Sequence, residues 1–312
     1  MDHVIAIDLG GTKLSWALVD RDYNFLLHER TETPQTTEAV ISKLSEIILE
    51  TSESEQKIVG VGIGVAGLVD HDSETVVASP NLPLTGVPLG HQLNEKFDLP
   101  CSIDNDANLA ILGELYSGAG RGKDNLIGLT VGTGIGGGIV LDGKLWRGQK
   151  GAAAEFGHIV VDAGGPRCAC GNLGCLETRA SGTAITVAAK EFVAAHPDSQ
   201  LGKKVGGDPE KATGPIVSEA ARSGDEAALG ILAEVGRWLG IGIGSLINVL
   251  DPQMIVLGGG VASSIEMALP SVKEAIAQTV IDPRSKDIPL AISQLENRAG
   301  LLGAAALVFE GS

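Results

Sequence analysis

The sequence predicts an α/β fold assembled from two related halves. Three observations carry that expectation. Short β-branched runs, such as Val4-Ile5-Ala6-Ile7-Asp8 and Met254-Ile255-Val256-Leu257, alternate with stretches of helical period. Glycines gather directly behind several of these runs, as Gly10-Gly11, as Gly132, Gly134 and Gly136-Gly137-Gly138, and as Gly258-Gly259-Gly260. Displacing the chain so that Ile7 falls on Leu129 lays Ile7-Asp8-Leu9-Gly10-Gly11-Thr12 over Leu129-Thr130-Val131-Gly132-Thr133-Gly134. The same displacement, without a gap, lays Leu18-Val19-Asp20 over Val140-Leu141-Asp142. Strand, glycine turn, strand and polar turn coincide, although few residues are identical.

The elements follow in order. Residues 3–9, 14–20 and 23–31 read as strands parted by Gly10-Gly11-Thr12 and by Asp20-Arg21-Asp22. Val40, Ile41, Leu44, Ile47 and Ile48 fall on one helical face, so 37–51 is expected to be a helix. Residues 58–65 and 100–104 read as buried strands, 89–97 as a short helix, and 105–117 as a helix that starts amid Asn105, Asp106 and Asn108. The strand–glycine–strand plan returns at 126–131 and 137–142, and 147–178 shows little periodicity. Helices are expected at 181–196, 215–222, 225–249, 263–279 and about 297–310, with strands at 253–257 and near 288–293. No Pro/Ser-rich linker separates the halves. Topology alone suggests a small lobe of 1–112 plus 299–312 and a large lobe of 113–298.

Composition narrows the function. Of 312 residues, 43 are glycine, about twice the usual share of ~7%. They follow no G-X-Y period, which excludes collagen, and 44% apolar content excludes a disordered chain. No apolar run has the length of a membrane span, so no membrane partner is expected. Met1-Asp2-His3 has no basic n-region and Lys13 interrupts any apolar one, so no secretory signal is expected and the chain reads as cytoplasmic. With 23 basic against 39 acidic residues, a net charge of −16, nucleic acid is not an expected partner, because phosphate contacts need clustered Lys and Arg.

Glycine behind a strand lets a ligand approach the backbone closely. Several such clusters point to a cradle for phosphate or nucleotide. No G-x-x-x-x-G-K-[ST] pattern occurs, so the cradle is not a P-loop. Asp104-Asn105-Asp106-Ala107-Asn108 sits where a strand meets a helix. There Asp106 is the candidate general base, while Asp106 or Asp104 could instead simply cap the helix.

At this point the residues resemble a known group. Asp8-Leu9-Gly10-Gly11-Thr12-Lys13 with Thr130-Val131-Gly132-Thr133-Gly134 resembles the two phosphate loops of the sugar kinase/heat-shock chaperone/actin superfamily. Glu155-Phe156-Gly157-His158 and the run from Cys168 to Glu177 narrow the resemblance to the ROK family (repressors, open reading frames and kinases), over about residues 4 to 308. The stretch from Gly206-Gly207-Asp208 to Gly258-Gly259-Gly260-Val261 looks most like bacterial ROK glucokinases. The resemblance implies a two-lobed ribonuclease H-like/actin-like ATPase fold with a duplicated βββαβα core and a structural zinc loop. It implies sugar contacts at Gly67, Asn81, Asn105, Asp106, Glu155, His158 and Glu177, with Asp106 as the base. Nucleotide contacts fall on Asp8, Gly10, Gly11, Thr12 and Lys13, on Thr133 and Gly134, and on Gly258, Gly259 and Gly260. Asp8 would hold Mg²⁺ through water, and a Lys after a glycine turn, such as Lys13, is often only solvated.

Cys168, Cys170 and Cys175 form a C-x-C-x₄-C run that follows His158 closely. Three thiolates and one imidazole make the closed tetrahedral set of a structural Zn²⁺, and the family resemblance implies the same four ligands. Metal binding would order a segment with little core of its own and fix Glu155, His158 and Glu177 as one wall. Cys101, in an apolar strand, reads as an inert core residue, and the five other histidines as surface residues.

The expected activity is ATP-dependent, Mg²⁺-assisted phosphorylation of a hexose, glucose at its 6-hydroxyl first. N-acetylglucosamine, N-acetylmannosamine, mannose and fructose are the alternatives, and Val87, Thr178-Arg179 and Gly244-Ser245, which depart from the glucokinase pattern, bear on that choice. A ROK sugar-responsive repressor is the alternative of another class, and it conflicts with the negative charge. A polyphosphate donor would call for a basic track, which the sequence lacks. The family resemblance further implies a homodimer or homotetramer.

Overall fold

The computed structural model describes residues 1–53 and 56–311. It opens with three antiparallel strands, β1 (Asp2–Leu9), β2 (Lys13–Asp20) and β3 (Phe25–Glu32). Helix α1 (Thr37–Ser52) follows. Thr36 caps it, its side chain accepting from Ala39 N, and Val40, Leu44, Ile47 and Ile48 are its buried face. Strand β4 (Lys57–Val65) then pairs parallel to β1, and β7 (Cys101–Asn105) parallel to β4, so the sheet order is β3-β2-β1-β4-β7. Between β4 and β7 lie the hairpin β5 (Leu68–Asp70) and β6 (Thr75–Ala78) and the helix α2 (Leu89–Phe97). Helix α3 (Asp106–Ser117) completes this half.

The plan then repeats. Strands β8 (Leu126–Val131), β9 (Ile135–Leu141) and β10 (Lys144–Leu145) are followed by the irregular stretch and the helices α4 (Glu177–Ala180), α5 (Gly182–Ala195), α6 (Gln200–Lys204), α7 (Gly214–Arg222) and α8 (Glu226–Leu250). Next come β11 (Met254–Gly258), α9 (Ala262–Thr279), β12 (Leu290–Ile292) and α10 (Ala299–Glu310). The sheet order is β10-β9-β8-β11-β12. Position by position this is the order of the first sheet, so the core is a duplicated βββαβα arrangement, as the displaced alignment predicts.

The chain folds into two compact units. The first holds Met1–Gly128, Gly138–Ala154 and the segment from Ser293 on; the second holds Leu129–Gly137 and Glu155–Ile292. The lobe boundary expected near 112 falls inside α3.

In the first unit, the core between sheet and helices is built from Ile5, Ile7, Leu44, Ile48, Ile63 and Ile103, all buried. Helix α10 crosses α3 and β4 at backbone distance. A Cβ on Gly303 would stand 1.7 Å from Leu109 O, one on Gly113 2.2 Å from Ala299 O, and one on Gly62 2.0 Å from Ala304 O. Only hydrogen fits at these three places. In the second unit α8 packs on α9 in the same way, with Gly240 against Val272 O and Gly244 against Thr279, while Gly242 faces Leu176. Among the described residues, α8 is the one helix long and apolar enough to cross a membrane by length and composition. Its most apolar window is 56% buried in the fold, as in a core helix.

Three expectations change. The hairpin β5–β6 is absent from the sequence reading, because its strands are too short to show a period. Strand β9 begins at Ile135 rather than at 137, so Gly136 is a strand residue rather than part of the turn; a Cβ on Gly138, also in β9, would press on Ile111. His3 is not a surface residue. It lies on β1 between β2 and β4 and is 3% exposed.

The glycine contacts make a paired prediction. Gly303→Ala forces the α3 and α10 backbones apart and should lower stability by about 1–3 kcal/mol. Gly230→Ala, on the open face of α8 with nothing near its Cβ, should raise it by about 0.5–1 kcal/mol. Urea unfolding of the two variants checks both signs.

Candidate active site

The strands β1, β4 and β7 run parallel and end together, with Leu9 beside Val65 and Val65 beside Asn105. One row back, Asp8 and Asp104 flank Gly64. Carboxyl ends of parallel strands are where open α/β sheets present side chains to ligands. The first turn of α3 packs over Gly64: a Cβ there would be 3.2 Å from Leu109 Cδ1 and 3.8 Å from Asp106 Cα. Asp8 feels the Asp106 charge, and burial together with that charge pushes its carboxyl up to about 6. The first turn of α10 lies against the same carboxylate, where a Cβ on Gly300 would be 3.5 Å from Asp8 Cγ. A helix N-terminus there partly offsets the negative charge.

The junction after β7 resolves which residue caps α3. It is Asn105, neither Asp104 nor Asp106. Asn105 has extended φ/ψ of −61/141, and its side-chain oxygen accepts from Ala107 N (2.9 Å) and Asn108 N (3.1 Å). Its amide donates to Gly67 O at 3.0 Å, which ties the loop after β4 to the helix start. Asp106 is the first helical residue, one carboxylate oxygen accepting from Ala107 N. Asp104 is buried. Its Oδ1 accepts from Asn105 N and from the Asn108 amide, and its Oδ2 is paired with Arg147 Nε at 2.5 Å. Arg147 lies outside the residues that the sequence picked out.

The glycine turn after β1 is closed by Gly10 N donating to Lys13 O, and Thr33 Oγ1 donates to Gly10 O at 2.7 Å. A Cβ on Gly11 would be 2.6 Å from Asn81 Cβ, so the turn and the Asn81 loop touch. Asp8, Gly10, Gly11, Gly67, Asn81, Asn105 and Asp106 therefore gather at one end of the first sheet. Thr12 and Lys13 are exposed at the turn's outer side.

In the second unit the turn Gly132-Thr133-Gly134 is held from two directions. Gly182 N donates to Gly132 O at 2.8 Å, and Thr183 Oγ1 donates to Thr133 O at 2.8 Å. Glu177 Oε2 accepts from Ile135 N at 3.0 Å and would be 2.3 Å from a Cβ on Gly134. Gly259, at φ +95, brings the end of β11 onto Val131, and Val261 N donates to Val131 O. Between these segments opens a cavity of about 500 Å³, lined by Gly132, Thr133, Gly182, Thr183, Gly214, Ser218, Arg222, Gly260 and Ser264 among others. The starts of α5, α7 and α9 all open on it. The positive ends of three helices meet on one cavity and favour an anion there, although the leading N–H groups of α5 and Gly214 N at the start of α7 are engaged within the fold. Arg222, whose Nη2 donates to Ser263 Oγ at 3.0 Å, adds a cation. The sequence signal for the α5 wall was present in Ser181-Gly182-Thr183, a cap followed by a glycine start, and for Arg222 there was none.

The cysteine loop is the other feature of this unit. The ligand atoms of His158, Cys168, Cys170 and Cys175 lie within 4.8 Å of one another. Cys168 Sγ is 3.6 Å from His158 Nδ1, and Cys170 Sγ is 3.6 Å from Cys175 Sγ. All three thiols are free. Tetrahedral Zn²⁺ with bonds of about 2.3 Å spaces its sulfurs roughly 3.8 Å apart, so the donors fit the ion. Gly174, at φ +67 and pressed on Asp162 O, permits the tight loop. His158 turns Nδ1 to the thiols and Nε2 toward Glu155, 3.9 Å from its Oε2. Cys168 Sγ also lies 4.0 Å from Glu177 Oε1. Glu155, His158 and Glu177 thus surround the cluster. Arg179, one of the departures from the glucokinase pattern, is occupied by Asp162 at 2.5 Å and stacks on Trp238.

A model of the ROK family matches residues 4–310. The chain belongs to the ROK family. It is 37% identical to a glucokinase of Streptomyces coelicolor, over 99% of this chain and 98% of that one. The crystal structure of a ROK glucokinase from Streptomyces griseus in complex with glucose and AMPPNP is 37% identical, covers 99% of this chain and 100% of its own, and superposes with a TM-score of 0.84. The family also contains regulators: a xylose repressor of Caldicellulosiruptor bescii is 34% identical over 84% of this chain and 65% of its own length. The fold is accordingly the actin-like ATPase fold of the ROK kinases.

Two outcomes follow from the geometry. The purified chain should carry about one Zn²⁺ per polypeptide by elemental analysis, and a chelator or Cys170→Ser should lower its melting temperature. Zinc well below one per chain, or a melting temperature indifferent to chelation, refutes the assignment. The second concerns Asp8. An unfolded-chain aspartate titrates near 3.9, below the folded value, so the folded state is penalised at high pH and the penalty fades as pH falls through about 6 toward about 4. Asp8→Asn should therefore be the more stable protein at pH 8, by on the order of 1–3 kcal/mol. The gap should close near pH 4. Urea unfolding at both pH values measures it, and an equal gap at pH 4 contradicts the charge account.

Proposed function

We propose that the chain transfers the γ-phosphoryl group of ATP to a hexose, with glucose as acceptor and glucose 6-phosphate as product. The observation that carries the reading is the match, at 37% identity and nearly full length, to a glucokinase solved with glucose and AMPPNP. It is supported by a strand-end cluster of carboxylates and amides in one unit and by the anion-favouring cavity in the other. The greater identity and two-way coverage of the kinases favour catalysis over repression.

In this reading Asn81, Asn105, Glu155, His158 and Glu177, with the backbone at Gly67, hold the sugar hydroxyls through carboxylate, amide and imidazole groups. The Asp106 carboxylate accepts the proton of the 6-hydroxyl while that oxygen bonds to the γ-phosphorus. The bond from phosphorus to the bridging oxygen breaks, and ADP leaves with that electron pair. Gly10, Gly11 and Thr12, and Thr133 and Gly134, offer N–H and hydroxyl groups to the phosphates. Gly258, Gly259 and Gly260 lie at the adenosine side, and Lys13 stays solvated. Asp8 would hold Mg²⁺ through water; the ion, when bound, neutralises phosphate charge. The zinc, when bound, supplies the ordering of a loop that has little core. A cytoplasmic homodimer or homotetramer is the assembly we propose, on the family resemblance, and light scattering tests its size.

Coupled ADP release should be fastest with glucose among glucose, N-acetylglucosamine, N-acetylmannosamine, mannose and fructose. Absence of sugar-dependent ADP release with all five refutes the reading. Asp106→Asn should fold and bind sugar normally, with turnover down about 10³-fold. A variant that keeps most of its rate removes Asp106 as the base.

A further inference from the structure

Behind the strand end that carries Asp106 lies a cluster of two carboxylates and one guanidinium that the reaction as described does not use. Asp104 is 2% exposed, and both its oxygens are engaged: one holds Asn105 N and the Asn108 amide, the other Arg147 Nε. Glu74, from the turn between β5 and β6, reaches the free edge of β7, where its Oε2 accepts from Ile103 N at 2.7 Å. Glu74 feels both the Asp104 and the Arg147 charges. Arg147 is only 15% exposed in its side chain. Its carbonyl accepts from Ala153 N, which closes the loop behind it.

The connectivity gives this cluster a direction. Asp104 grips residues 105 and 108, and Asn105 in turn caps α3 and holds Gly67. Asp106 sits between the gripped residues, one of its carboxylate oxygens accepting from Ala107 N. Whatever moves Asp104 moves the first turn of α3. Arg147 is the partner that holds Asp104 from outside the junction, through a rigid planar donor that a point charge does not reproduce.

We propose that Arg147 is a positioning residue for phosphoryl transfer: through Asp104 it fixes the junction of β7 and α3, and with it the Asp106 carboxylate and the Asn105 amide. The inference rests on the kinase reading above. Small misplacements of a reacting group lower rate steeply, whereas the nucleotide cavity, built from other segments, is untouched.

Steady-state kinetics of Arg147→Gln, Asp104→Asn, the double variant and Arg147→Lys test it, each assayed well below its own melting temperature. Arg147→Gln should lower kcat about 10- to 100-fold and leave KM for ATP within about twofold. Because both act through one contact, the double variant should be no slower than the slower single variant. Arg147→Lys, which keeps the charge, should recover at least part of the loss. A kcat within about twofold of wild type in Arg147→Gln, or losses that multiply in the double variant, overturns the inference, whatever happens to thermal stability. Should Arg147→Gln fail to fold, Asp104→Asn decides it by the same kcat criterion. A wild-type chain without hexose-dependent ADP release overturns the kinase reading and this inference with it; an active wild type with an indifferent Arg147 overturns this inference alone.

Discussion

Asp8 and Asp106 lie near enough that the charge of Asp106 makes that of Asp8 less favourable, in a place where burial already opposes ionisation. Two carboxylates left to themselves would rotate apart or take a proton. The surroundings prevent the first. Asp8 is on the central strand of a five-stranded sheet, paired on both sides, and Asp106 begins a helix whose cap is satisfied twice. The helices behind them are locked at backbone distance by Gly62, Gly113 and Gly303, with no side chain between to slide. Rigidity of this kind offsets a local destabilisation, the raised cost of ionising Asp8.

The second unit meets a different difficulty. Residues 147–178 carry no sustained apolar period, and the segment holds little more than a single 3₁₀ turn and isolated bridges. Such a stretch buries too little to order itself. The donors of His158, Cys168, Cys170 and Cys175, converging within 4.8 Å, supply another route. A metal held by these donors would order the loop, with Glu155 beside the ligand His158 and Glu177 beside Cys168. One unit is made stiff by hydrogen-only contacts between helices, the other by a set of soft ligands, and both serve to hold polar side chains still.

Much of this was legible in the sequence, and what was not has a physical reason. The strands, the glycine turns and the zinc donors show because their signals are local: a β-branched run, a glycine at its end, sulfurs a few residues apart. The duplication shows because strand and turn keep their spacing even where residues differ. The cap of α3 was ambiguous, since Asp104, Asn105 and Asp106 are all good caps, and backbone dihedrals rather than residue type decide among them. Arg147 was invisible because its partner is 43 positions away and neither residue forms part of a pattern. The hairpin β5–β6 was missed because strands of three and four residues show no period. Its turn nevertheless places Glu74 on the edge of β7.

The duplication also shows what was changed to make two copies of one plan into two different sites. Under the displaced alignment Asp8 falls on Thr130, so the strand end that carries a carboxylate in the first half carries a hydroxyl in the second. The cavity near that second turn is lined by glycines, hydroxyls and Arg222, and none of the described residues lining it is acidic. A polyphosphate brought beside carboxylates would be repelled at short range. Beside three positive helix ends and one guanidinium it would meet a favourable potential. The same strand order thus accommodates two different linings: carboxylates at the strand end of the first half, and glycines, hydroxyls, a few apolar residues and one guanidinium beside the second.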